Sequence, residues 1–137
     1  MADPIDTMMI SASGLRAQSA RMRIISENIA NANSTAREPG GEPYRRQIPV
    51  FEAELNDMTG QMHVRMTDAI DDQSDFKLEY DPGQPAANAE GYVMTTNVST
   101  LVEMMDMREA MRSYEANLNM IENHRRMQER TLDLLRR

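Results

Sequence analysis

Four apolar residues near the N-terminus, Met8, Leu15, Met22 and Ile29, fall seven apart, with Ile5, Ala12 and Ile25 beside them. Seven residues make two helical turns, so this spacing draws one apolar stripe along a helix. The C-terminal part repeats the device. Met104, Met107, Met111, Tyr114, Leu118 and Ile121 keep alternating spacings of three and four, and Met120, Met127 and Leu134 carry a neighbouring stripe. An apolar face that drifts around a helix suits a nearly straight helix with more than one neighbour. Two long amphipathic helices at the ends of the chain therefore limit what it can fold into.

Local signals set the boundaries. Asp3 is suited to an N-cap, Pro4 to the first helical position, and Asp6 to the positive end of the helix dipole. The first stripe stops in "ANANSTAREPGG", which predicts a helix of about 30 residues and about 45 Å. Thr100 and Glu103 have capping-box spacing, with Asn97 or Ser99 as alternative caps. Glu122–Arg126 and Asp133–Arg137 are i,i+4 pairs of the favourable orientation. Between the helices, "YRRQIPVF" reads as extended with Pro49 at an edge, while "MHVRM" and "FKLEY" alternate with period two and suit half-buried strands. Asp81-Pro82-Gly83 supplies a turn, and "QPAANAEGY" reads as irregular. The expected fold is mainly α with a small β-containing insert (α+β), its long terminal helices pairing in a coiled-coil-like bundle. The expected division is 1–36 and 98–137 as helical segments and 37–97 as the insert.

Composition points to contact surfaces rather than a rigid core. Only 40% of residues are apolar, with two Phe, four Tyr and no Trp, whereas Met occurs fourteen times. Thioether side chains re-pack easily against varied partners. The net charge of −7 lies wholly in the middle: residues 37–97 hold five basic and twelve acidic residues, while each end is neutral. Neutral, mixed-sign ends can lie beside copies of themselves, and no basic stripe favours nucleic acid. With no cysteine, disulfides and thiol chemistry are excluded. No apolar run reaches the roughly 20 residues of a membrane helix, and the N-terminus lacks the basic head of a cleavable signal. Export, if it occurs, is expected to remove nothing.

Catalytic constellations are missing. His124 sits beside Arg125 and Arg126 and reads as an exposed helical residue; His63 reads as pointing off a strand. Neither has triad or metal-site spacing. Asp71, Asp72 and Asp75 lack the pattern of a calcium loop, and glycines are too sparse for a phosphate cradle. No cofactor and no enzymatic activity are expected.

"SGLRAQSARMRIISENIANANST" (13–35) resembles the N-terminal signature of bacterial flagellar rod, hook and hook-associated proteins. It joins a Ser-Gly-Leu-x-Ala entry (Ser13, Gly14, Leu15, Ala17) to an Asn-Ile-Ala-Asn exit (Asn28, Ile29, Ala30, Asn31). "PYRRQIPVF", "YDPGQPAANAEGYVMTTNV" and "EMMDMREAMRSYEANLNMI" are similar to the proximal rod members of that family, with Asp81, Pro82, Asn88, Gly91 and Tyr92 in the most specific block. The resemblance implies a structural subunit of the basal-body rod. It would be exported by the flagellar type III apparatus to the periplasm and assembled into the shaft that carries torque from rotor to hook. The implied partners are other copies of itself, the rod proteins FlgB and FlgF, the rod-base protein FliE and the membrane-ring protein. Subunit contacts are expected through Met8, Leu15, Met22 and Ile29 on one helix and Met104, Met111, Leu118, Ile121 and Leu132 on the other. Asn28 and Asn31 either bond neighbouring backbone or merely end the helix. The competing class is a soluble coiled-coil adaptor.

Overall fold

A computed structural model describes residues 4–136. The Asp3 cap and the Asp133–Arg137 pair therefore lie outside the described residues. The element order is α1 (Pro4–Ala30), β1 (Gln47–Ile48), β2 (Phe51–Asn56), β3 (Gln61–Met66), β4 (Ile70–Asp71), β5 (Lys77–Tyr80), β6 (Tyr92–Thr95) and α2 (Thr100–Leu135). The described chain is α+β, with two long helices and three separate two-stranded antiparallel sheets, β1–β4, β2–β3 and β5–β6. None of the described helices is long and apolar enough to cross a membrane.

α1 stops where the Asn-rich exit begins. The Asn31 side chain donates to the Glu27 carbonyl at 2.8 Å, alongside the Asn31 backbone N–H at 3.1 Å. α2 starts differently from the capping-box reading. The Glu103 N–H donates to the Ser99 carbonyl at 3.0 Å, which makes Ser99 the cap, and the Glu103 carboxylate is turned into the protein instead. The Glu122–Arg126 pair forms at 3.5 Å on the surface.

The chain divides into two compact units. One unit holds residues 1–22, 51–67 and 108–137. In it the β2–β3 hairpin turns at Asn56, whose side chain accepts from the Met58 and Thr59 N–H groups, and at Gly60, with φ +69°. The sequence pattern predicts extended chain only as far as Phe51, yet "FEAELN" alternates as cleanly as its partner, and the strand runs on to Asn56. Ser11, Ser13, Ala17 and Ala110 are the buried residues here. A Cβ on Gly14 would come within 2.8 Å of the Asn117 amide, so α1 and α2 approach closely where one side chain is absent.

The other unit holds residues 23–50 and 68–107. β5 and β6 form a hairpin closed by residues 81–91, and Thr35 bridges to Thr95 beside it. Its buried apolar residues are Ile24, Ile25, Ala36, Ala86, Val93 and Val98. β6 lies in "GYVMTTNV", where periodicity alone predicts no strand, and it carries the buried Val93.

One pattern holds in each unit. No Met, Leu, Phe or Tyr among the described residues is buried. Met62, Val64, Leu78 and Tyr80, expected on half-buried strand faces, are exposed. His63, expected to point away, lies between them on the opposite side of β3 and is half-buried, with Nε2 enclosed. His124 is also half-buried rather than exposed, because it follows Tyr114, Asn117 and Ile121 along one line of α2. The substitution Gly91→Ala tests the packing of the β5–β6 loop. Gly91 has φ +86°, and a Cβ there would meet the Tyr80 ring at 2.8 Å, so a loss of about 1–3 kcal/mol in chemical denaturation is expected.

Candidate assembly surfaces and the polar knot

Asn28, on the last full turn of α1, is completely buried although it is polar. Every group it carries is used. Its Oδ1 accepts from the Gln47 N–H at 3.0 Å and from the Tyr44 hydroxyl at 2.8 Å. Its Nδ2 donates to the Gln47 carbonyl at 2.9 Å and to Glu103 Oε2 at 3.1 Å. Asn28 thus behaves towards strand β1 as another strand would, taking one N–H and giving to one C=O of the same residue. Only a primary amide of this length offers that pair of groups. Of the two roles weighed for Asn28 and Asn31, bonding to backbone is the one each performs, Asn28 at Gln47 and Asn31 at the Glu27 carbonyl where the helix ends.

Glu103 is also fully buried, and its other oxygen accepts from Arg46 Nε at 2.5 Å. Arg46 reaches Asp72 at 3.3 Å and Asp106 at 3.5 Å with its two remaining nitrogens. Burial works against the Arg46 charge, but the hydrogen bond and charge of Glu103, followed by those of Asp72, outweigh it and hold the guanidinium above its usual pKa. Tyr44 is pushed up by burial and then by the carboxylates Glu27, Glu103 and Asp71. Asp72 is held below the usual carboxylate value chiefly by the Ser74 backbone N–H and hydroxyl, with Arg46 adding to them. Arg45 faces the loop after β4, donating to the Asp72 and Ser74 carbonyls and lying 4.1 Å from the Phe76 ring centroid. Asn97 accepts from the Arg46 N–H at 2.7 Å and donates to the same loop. Of the three aspartates that lack a calcium-loop pattern, Asp72 binds Arg46, and Asp71 takes a hydrogen bond from the Gln47 amide.

The distinctive block at 81–92 is accounted for by its own loop. Asp81 Oδ1 accepts from the Gly83 N–H, while Asn88 Oδ1 accepts from the N–H groups of Glu90 and Tyr92. The Asp81 N–H donates to the Gly91 carbonyl, Pro82 lies against the position a Gly91 Cβ would take, and Tyr80 meets Tyr92 edge-on with centroids 5.3 Å apart. These residues build a shape, and no group of three or more metal-ligating side chains occurs among the described residues.

The expected interface residues divide in two. Met104, Met111, Leu118 and Leu132 are exposed; Met8, Leu15, Met22, Ile29 and Ile121 are half-buried. On α2 Glu103 and Ala110 are buried, and Asp106, Met107, Ser113, Tyr114, Asn117, Ile121, His124 and Gln128 are half-buried, most of them along one line. Helical geometry puts Met104, Met111 and Leu118 on one shoulder of that line and Val102, Met120, Met127 and Leu134 on the other. Large apolar side chains thus flank a line that itself holds Met107, Tyr114 and Ile121 beside small and polar residues. The burial of Asn28 and Glu103 escaped sequence reasoning, because each also has an ordinary helix-terminal meaning. The one available signal was their place on the helix lines that face inward.

This arrangement of long helices, small sheets, no metal cluster and exposed apolar shoulders is found in a chain whose residues 8–37 match the family described as flagella basal body rod protein. Residues 89–134 match the flagellar basal body rod FlgEFG protein C-terminal family. The chain is thus one of the flagellar basal-body rod proteins. Among its relatives are proteins named flagellar basal-body rod protein FlgC. The one from Agrobacterium fabrum is 49% identical over 98% of this chain and 97% of the relative. That from Bacillus subtilis is 42% identical over 82% and 85%, and that from Aquifex aeolicus 40% over 97% and 98%. The chain belongs to the FlgC family.

Two outcomes test the knot. Arg46→Met strands a buried carboxylate and is expected to cost about 3–5 kcal/mol in denaturant unfolding, with much of the loss recovered in Arg46→Met/Glu103→Leu. Asp72 has a depressed folded pKa, so its stabilisation is present above the unfolded value of about 3.9 and is lost as pH falls through the lower folded value. An acid titration of stability is therefore expected to fall less steeply there for Asp72→Asn than for the parent chain.

Proposed function

We propose that this chain is a structural subunit of the proximal rod, assembling through its terminal helices into the shaft that carries torque from rotor to hook. One observation carries the reading: the exposed α2 line Met104, Met111, Leu118 and Leu132, seven or fourteen residues apart, beside a chain-facing line that includes Glu103, Ala110 and Asn117. A helix that serves only its own chain turns its large apolar residues inward. This one turns Met107, Tyr114 and Ile121 inward and displays the others on two sides, as a subunit set between neighbours would.

In the assembled rod, α1 and α2 pair in a coiled-coil-like bundle. Met8, Leu15, Met22 and Ile29 meet one neighbour and Met104, Met111, Leu118, Ile121 and Leu132 meet others. The acidic 37–97 insert lies towards water and keeps lateral spacing. Torque is then borne by many packed side chains in parallel, with no single hinge to yield. The chain reaches the periplasm unprocessed through the flagellar type III apparatus, where its neighbours are further copies, FlgB, FlgF, FliE and the membrane-ring protein. The role is mechanical rather than catalytic.

The experiment is substitution at the exposed line. Leu118→Asp changes a side chain that is 39% exposed, so the lone chain should keep its stability within about 1 kcal/mol. Rod assembly and swimming should be lost, with the variant still secreted. Normal swimming by Leu118→Asp and Leu15→Asp strains would overturn the interface.

A further inference from the structure

The β2–β3 hairpin leaves one apolar face exposed, while on its other face Asn56, Gln61 and His63 are half-buried. Phe51, Ala53 and Leu55 pair across the strands with Met66, Val64 and Met62, which puts all six on one face. All but the half-buried Met66 are exposed. Glu54, His63 and Arg65 of the opposite face, together with Val64 and Met66, line a hollow against Ser13, Arg16 and Ala17 of α1, and the Val64 N–H donates to Ser13 Oγ at 3.3 Å. His63 Nε2, at that hollow, and Gln61 Oε1 are buried without a hydrogen-bond partner. An apolar face of five exposed side chains is a surface that needs a cover.

A second bare surface lies in the same unit. The last turns of α2 expose Leu132, Leu134 and Leu135 at 60%, 74% and 79%. Both surfaces are uncovered in one chain, so neither shields the other. Their charges are complementary. Residues 51–67 carry three carboxylates and one Arg, whereas residues 124–137 carry five Arg and two carboxylates. Two hairpins face to face would set like charges together, and an acidic hairpin is repelled by anionic lipid.

We propose, building on the rod-subunit reading, that the outward face of the β2–β3 hairpin receives the C-terminal turns of α2 from a second copy of this chain. The contact joins different patches on the two copies. Such head-to-tail contacts generate rings or open helical arrays rather than closed pairs, as a rod layer requires. The basic helix end is steered to the acidic hairpin, and Leu134 and its neighbours then cover Leu55, Met62 and Val64.

The cysteine-free chain gives a clean test. Two differently tagged full-length copies, one with Leu55→Cys and one with Leu134→Cys, are co-expressed in flagellated cells, and isolated basal bodies are treated with a short bis-maleimide. A cross-linked species carrying both tags is expected, absent when either cysteine is omitted. Its yield should drop several-fold with Glu52→Arg and recover when Arg130→Glu is added to the other copy. Basal bodies that contain the chain but give no such species, give Leu55→Cys copies joined to each other, or give a cross-link to a different protein would overturn the contact. Absence of the chain from basal bodies would overturn the rod reading itself, and this contact with it.

Discussion

Burial of large apolar side chains is the main force that holds small domains together, and here it is largely unspent. The described methionines, leucines, phenylalanines and tyrosines are all at least partly exposed, and the buried apolar residues are Ala, Val and two Ile. At about 25 cal/mol per Å², alanines offset little of the conformational entropy that ordering a long helix costs. The exposed shoulders of α2 and the outward face of the β2–β3 hairpin hold much of the apolar surface that the single chain leaves open. Under the rod-subunit proposal, such a chain would complete its packing against neighbours after it reaches its site.

The knot around Asn28 and Glu103 answers a different need. Buried polar networks contribute less to net stability than to uniqueness, because a shifted register strands donors and charges. Asn28 takes both backbone groups of Gln47, and Glu103 takes Arg46, so the end of α1, strand β1 and the start of α2 share one arrangement. With so little large apolar packing to choose among alternatives, hydrogen bonds do the choosing. Gly91, Asn88 and Asp81 fix the β5–β6 loop by the same principle.

Much of this was legible in the sequence, and the rest was hidden for physical reasons. Helical spacing locates α1 and α2 and gives the 3–4 pattern, since periodicity depends only on backbone geometry. On the strands it misjudges orientation. Apolar residues usually face inward, so alternation alone puts Met62 and Val64 on the inner face of β3 and His63 on the outer one; the hairpin is inverted. Glu103 looks like half of a capping box, and only the fold brings Asn28 and Arg46 to it from 75 and 57 positions away. Thr35 pairs with Thr95 for the same long-range reason, which no local window can reveal.

Amide hydrogen exchange of α2 between Met111 and Leu135, compared in the isolated chain and in purified rods, tests the account most directly. Exchange in the free chain should be fast along that stretch and slow around Val93 and Glu103, with strong protection of the whole helix appearing only in rods. Uniform, strong protection of α2 to its last turns in a monomer would contradict it.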